Sequence, residues 1–238
     1  MDDASRVGTG GRAPVRIALI HALAHSVAPV NDELARAWPE AVRMNLLDDS
    51  LSADLARTGS LDSRMTERFL ALADYAFRTG AAGILFTCSA FGPCIDAVAR
   101  RWPAVPVLKP NEAMIDEAVT LARAGHGRIA LVATFAPTLA SMPDEFPRDV
   151  ALVPVFVDGA MAALDRGDGA ALDRLAAEAV SRLARDGVDA IALGQFSLAR
   201  AADAVAQAAG IPVLTTPGSA VRALRSRLAG AQRPTAAR

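Results

Sequence analysis

The second half of this chain repeats the first. Arg16-Ile-Ala-Leu-Ile20 returns as Arg128-Ile-Ala-Leu-Val132, Leu46-Leu-Asp48 as Phe156-Val-Asp158, and Arg78-Thr-Gly80 as Arg185-Asp-Gly187. Asp96-Ala-Val-Ala99 returns as Asp203-Ala-Val-Ala206, and Pro106-Val-Leu108 as Pro212-Val-Leu214. The matches keep their order while their separation drifts from about 112 residues to about 106, which is what a duplication followed by small loop changes leaves. Each half reads strand, helix, strand, helix, strand, helix, strand, and that alternation requires a parallel sheet with helices on its faces. The expectation is an α/β protein of two pseudo-symmetric, Rossmann-like lobes with the active site in the cleft between them. Residues 15–110 with 217–228 form the first lobe, 111–216 form the second, and 1–14 and 229–238 are loose ends.

Within the first half, Val15–Ile20 reads as a strand, His21–Val30 as a loop, and Asn31 as the N-cap of the next helix. Val42–Leu47 is a second strand. Ser60–Thr79 reads as an amphipathic helix with Met65, Phe69, Leu72 and Ala76 at helical spacing, capped by Ser60 or Asp62 and stopped by Gly80. Gly83–Phe86 is a buried strand, Ile95–Arg101 a helix, and Val105–Leu108 a short fourth strand.

The strand ending in Phe86 runs directly into Thr87-Cys88-Ser89 and a helix start. Ligands of open parallel sheets bind beyond the carboxyl ends of the strands, so this junction is where chemistry is expected. Free N–H groups and the helix dipole there favour an anion, which can lower the pKa of Cys88 or hold a carboxylate. Cys94, inside the apolar run of the following helix, reads as core. The two cysteines are not spaced as C-x-x-C and have no histidine nearby in sequence, which argues against a zinc site or a thioredoxin-type motif.

By the repeat, the partner of Cys88 is Gln195, in Leu193-Gly-Gln-Phe-Ser197. Facing lobes bring Cys88 to a ligand from one side, and Gln195 with Ser197 from the other. The ends of the two first strands reach the same cleft, with His21 in one half and Ala133-Thr-Phe-Ala-Pro-Thr138 in the other. Thr134 and Thr138 are either cap hydroxyls or ligand contacts. His21 is either a ligand contact or a partly exposed strand-end histidine. His25 carries less weight, and His126 belongs to a surface turn.

Composition narrows the function classes. The chain has 238 residues, 52% of them hydrophobic, enough for a substantial core. Lys and Arg total 25 against 26 Asp and Glu, so no net field recruits nucleic acid or an anionic membrane. No apolar run approaches the roughly 20 residues of a membrane span, and the start of the chain lacks the apolar segment of a signal peptide. Two cysteines make no disulfide framework. A cytoplasmic protein acting on a small molecule is expected, with a homodimer left open. No G-x-G-x-x-G follows the first strand, where Ile20-His-Ala-Leu-Ala stands instead, which argues against a nucleotide-binding module.

The duplicated halves, with Leu-Phe-Thr-Cys88-Ser in one and Leu-Gly-Gln195 in the other, resemble the aspartate/glutamate/hydantoin racemase superfamily, from about Val15 to Leu228. That superfamily also contains maleate isomerase and arylmalonate decarboxylase. The resemblance implies cofactor-independent chemistry on a small carboxylate, with one cysteine at each turn moving a proton on opposite faces of the substrate carbon. It further implies that Thr134 and neighbouring amides bind a carboxylate. In this chain Gln195 replaces the second cysteine, and glutamine does not titrate. The catalytic candidates are therefore Cys88 and Gln195, and the substrate-binding candidates are Thr87, Ser89, Thr134, Phe135, Ser197 and His21, with no metal. Isomerase or racemase is the leading class. A one-cysteine decarboxylase or lyase, and a non-catalytic carboxylate-binding protein, are the alternatives.

Overall fold

The computed structural model describes residues 14–231. The first half runs β1 (Arg16–His21), α1 (Val27–Ala37), β2 (Val42–Leu47), α2 (Ser50–Thr58), α3 (Ser63–Arg78), β3 (Gly83–Phe86), α4 (Gly92–Arg101) and β4 (Val107–Leu108). The second runs α5 (Glu112–Ala124), β5 (Arg128–Ala133), α6 (Ala136–Ser141), β6 (Ala151–Phe156), α7 (Ala160–Asp165), α8 (Gly169–Val180), β7 (Ala190–Leu193), α9 (Ala202–Ala209), β8 (Val213–Thr215) and α10 (Thr216–Ala231). The strands form two all-parallel, four-stranded sheets of like order, β2-β1-β3-β4 and β6-β5-β7-β8.

Burial explains the strand sequences. Strands β3 and β7 are buried along their whole length and β1 and β5 nearly so, because helices cover both faces, and each is a continuous apolar run. Successive residues serve opposite faces. Ala18, Ile20, Ile84 and Phe86 pack on Met65 and Phe69 of α3 and on Ile95 and Val98 of α4. Ile17, Leu19 and Leu85 pack on Val30 and Leu34 of α1 and on Val221, Leu224 and Leu228 of α10. Gly83 makes the last contact possible, since a Cβ there would stand 2.9 Å from a terminal methyl of Leu224. In the second sheet, Val132 and Leu193 face α8 and α9, while Ile129 and Leu131 face α5. Strands β2 and β6 are sheet edges, half exposed, and β6 can therefore hold Pro154, which has no N–H to give to a neighbouring strand.

Several boundaries depart from the sequence reading. Helix α1 begins at Val27, which puts Asn31 inside it and not at its cap. Pro29 is tolerated because the first helical turn needs no N–H from it. Helix α2 was not anticipated, since Leu51 is its only buried residue and its apolar stripe is thin. Helix α3 starts later than expected, at Ser63, with Asp62 as its cap, Oδ1 accepting the Met65 N–H at 2.8 Å. The fourth strand is only Val107–Leu108. At the carboxyl end, α10 continues to Ala231, so residues 229–231, expected to be loose, are helical. The rest of both expected loose ends, residues 1–13 and 232–238, lies outside the described residues.

Candidate active site

Strand β3 carries the first turn. The Thr87 N–H continues the β1–β3 ladder by donating to Ile20 O at 3.1 Å, after which Cys88 precedes a short 3-10 turn, Ser89–Phe91, and then α4. Phe69 stacks on Phe86 and tilts against Phe91, with ring centroids 5.3 and 5.0 Å away, so the turn rests on an aromatic floor. Cys88 is partly exposed, Ser89 is exposed and Thr87 is buried. Burial pushes the Cys88 thiol above its ordinary pKa, and the Ala90 N–H donating to the sulfur offsets this only in part. The lowered thiol expected from a strand-to-helix turn is thus not found. Desolvation outweighs the single amide, because the 3-10 turn separates Cys88 from the start of α4. Cys94 is fully enclosed, with the Thr66 hydroxyl 3.5 Å from its sulfur.

His21 is not the partly exposed strand-end residue the sequence suggested. It is fully buried and does not line the cleft. Its Nε2 lies 3.0 Å from Asn45 Oδ1, and its Nδ1 lies 2.9 Å from the Thr87 hydroxyl and 3.2 Å from that of Ser26. Desolvation lowers the pKa of His21, partly opposed by the hydrogen bond to Asn45. In the neutral form set by this arrangement Nε2 carries the proton and donates to Asn45, leaving Nδ1 to accept from Thr87. The imidazole therefore anchors the residue directly before Cys88.

Strand β7 carries the second turn. The Gly194 N–H donates to Val132 O at 2.9 Å, and Gln195 precedes a 3-10 turn, Phe196–Ala201, and then α9. A side chain at position 194 would crowd Leu131 and Met142, each 3.1 Å from where its Cβ would stand. The Gln195 Oε1 accepts both the Thr134 N–H at 2.6 Å and the Thr134 hydroxyl at 3.1 Å. With its oxygen so engaged, what the amide has left to offer a ligand is its NH2, a donor. Thr134 is buried and Phe135 is 51% exposed.

One cavity of about 1360 Å³ is lined from both halves. Thr87, Cys88 and Ser89 reach it from the first turn, and Gln195 and Ser197 from the second. Phe135 and Thr138 reach it from the segment after β5, as do Ser26 and His25 from the segment after β1. Asn111 and Glu145 also line it, the Asn111 amide donating to the Glu145 carboxylate at 3.3 Å. Sequence reading missed these two, and Ser26 and Asn45 as well, because each is defined by a partner distant in the chain. His126 stands on a surface turn, paired with Asp189 at 2.9 Å. Among the described residues no cluster of three His, Cys, Asp or Glu side chains is arranged to hold a metal ion. No helix among them is long and apolar enough to cross a membrane.

Two parallel α/β lobes whose third-strand turns meet across one cleft define the class of a two-lobed racemase fold. The sequence profile of the Asp/Glu/Hydantoin racemase family matches residues 25–224, and the chain belongs to that family. Among solved structures it is similar to allantoin racemase from Klebsiella pneumoniae, with a TM-score of 0.65 at 20% identity over 90% of this chain and 88% of that one. It is also similar to glutamate racemase from Francisella tularensis in complex with D-glutamate, with a TM-score of 0.60 at 14% identity over 95% of this chain and 86% of that one. A third similar structure is arylmalonate decarboxylase, with a TM-score of 0.62 at 19% identity over 92% of this chain and 96% of that one. Among curated proteins no sequence matches.

Proposed function

We propose that this protein is a cofactor-independent enzyme that moves a proton at the carbon beside a carboxylate of a small substrate, with Cys88 as its single titrating cysteine. The observation that carries this is the pairing of Cys88 and Gln195 at equivalent turns of one cavity. We take the chain to be a duplicated unit, with residues 15–110 and 217–228 as one lobe and 111–216 as the other. A reducing compartment such as the cytoplasm keeps the Cys88 thiol available.

In this reading Cys88 Sγ–H faces one side of the substrate carbon. The carbanion or enolate carbon takes the thiol proton, the electron pair forms the new C–H bond, and the thiolate left behind regains a proton from solvent. In the reverse sense the thiolate removes that proton. Gln195 cannot take part in proton transfer, but its NH2 donates to a polar group of the substrate, as do the hydroxyls of Ser89 and Ser197. A carboxylate that reaches for the Thr134 donors displaces the Gln195 oxygen, and Gln195 thereby couples binding to its own rotation. His21 positions the first turn through Thr87.

Isomerization, or a racemization limited by the face opposite Cys88, which only water serves, is the nominal reaction. Decarboxylation or another lyase reaction is the second reading, favoured by one observation: a thiol raised by burial holds its proton at neutral pH and is a better donor than base. The test is a screen of small amino, hydroxy and dicarboxylic acids in deuterated water, following deuterium beside the carboxylate and release of CO2. Turnover is expected with wild type and not with Cys88→Ala. Unchanged turnover in Cys88→Ala would refute the assignment.

A further inference from the structure

The walls of the cavity bear on which carboxylates it admits. Among the described residues the exposed large apolar side chains are few, and three of them line this one cavity: Leu23 at 46%, Phe135 at 51% and Met161 at 40% exposure. Leu164 joins them. Phe135 and Met161 come from the second half and Leu23 from the first, so the apolar lip is built from both sides of the cleft. Apolar surface left open inside a concavity is what an apolar part of a ligand covers.

The charges point the same way. Among the described residues three arginines line the cavity, and the guanidinium of each is already paired with an acid. Arg36 holds Glu33 at 2.7 Å, Arg200 holds Asp173 at 3.0 Å, and Arg222 holds Glu117 at 2.5 Å. Asp32, Asp165 and Asp203 stand exposed on the lining; none is in a direct ion pair among the described residues, and Asp203 acts on Arg36 only through a weaker coulombic attraction than Glu33 does. A second carboxylate on the substrate finds no uncommitted guanidinium here and meets like charge at the rim. One acid group can be held by donors at the turns, but a dicarboxylate is disfavoured twice.

We infer that the substrate is a monocarboxylic acid whose other substituent is aromatic or branched aliphatic, seated on the lip of Leu23, Phe135 and Met161, and that dicarboxylic acids are rejected. This rests on the proton-transfer reading above and specifies its substrate class. The test compares proton exchange beside the carboxylate in deuterated water for phenylalanine, leucine and 2-phenylpropionate against aspartate, glutamate and methylmalonate. The apolar set should exchange with at least tenfold higher kcat/KM. Phe135→Ala should raise KM for the apolar set about tenfold with kcat little changed, whereas the doubly substituted Asp165→Asn, Asp203→Asn protein should narrow the gap by improving the dicarboxylates. Equal or better exchange of the dicarboxylates by wild type overturns the inference while leaving the reading of Cys88 intact. So does a Phe135→Ala protein with unaltered KM. Exchange with neither set overturns both.

Discussion

At neutral pH Cys88 keeps its proton, and the consequences are measurable. Burial raises its pKa more than the Ala90 N–H lowers it, so the thiolate fraction in the free protein is small. Alkylation by iodoacetamide should be slow at pH 7 and accelerate as pH rises past 9, the ordinary thiol value, with Cys94 protected throughout because it is fully enclosed. Mass spectrometry after brief labelling reads this directly, and rapid labelling of Cys88 at pH 6 would contradict it. His21 gives a second residue-level prediction. Its folded pKa is lowered by burial below the ordinary 6.5, so the unfolded chain binds this proton first as pH falls. The stability that the neutral imidazole contributes is complete above about pH 6.5 and is lost as pH falls from there toward the folded pKa. Urea unfolding of wild type and His21→Gln at pH 8 and pH 5.5 should show the larger acid loss in wild type; equal losses would remove His21 from the account. Cys88 was legible in sequence because it sits at a strand end. The environment of His21 was not, because Thr87 stands 66 residues away from it and Asn45 24.

Single elements decide how firmly the first turn is held. Helix α10 belongs to the end of the chain yet covers β1 and β3 of the first sheet, with Leu224 fully buried against them. Leu224→Ala should cost about 2–5 kcal/mol in urea unfolding, the usual range for a leucine removed from a core. A loss under about 1 kcal/mol would mean that the helix is not part of that core. Asp62→Ala removes the cap of α3 and should cost about 1 kcal/mol. The central strands were legible from their unbroken apolar runs, and α3 from its stripe and cap. The start of α1 was not, because Pro29 reads as a breaker unless the first helical turn is already known to include it. Helix α2 gave too little signal, since a nine-residue helix with one buried leucine has almost no periodicity to detect.

For the molecule as a whole, the alternation of strands and helices in both halves was the strongest signal, since it leads to two parallel sheets of like strand order. The meeting of their turns followed from symmetry more than from any one residue. What sequence left open was the cavity wall, where Asn111 and Glu145 join residues from both halves. The central claim is that proton transfer here is one-sided: a thiol on one face, and an amide on the other that cannot titrate. Return of a proton from a positioned acid is typically worth 10²–10⁴-fold, so the face served by Gln195 should lag by a factor of that order. The most direct measurement is the stereochemical course in deuterated water, comparing each enantiomer of an exchanging substrate with wild type and Cys88→Ala. Wild type should incorporate deuterium on the Cys88 face at least about 10²-fold faster than on the other, and Cys88→Ala should incorporate none. Equal exchange of both enantiomers by wild type, or full exchange without Cys88, would contradict that claim.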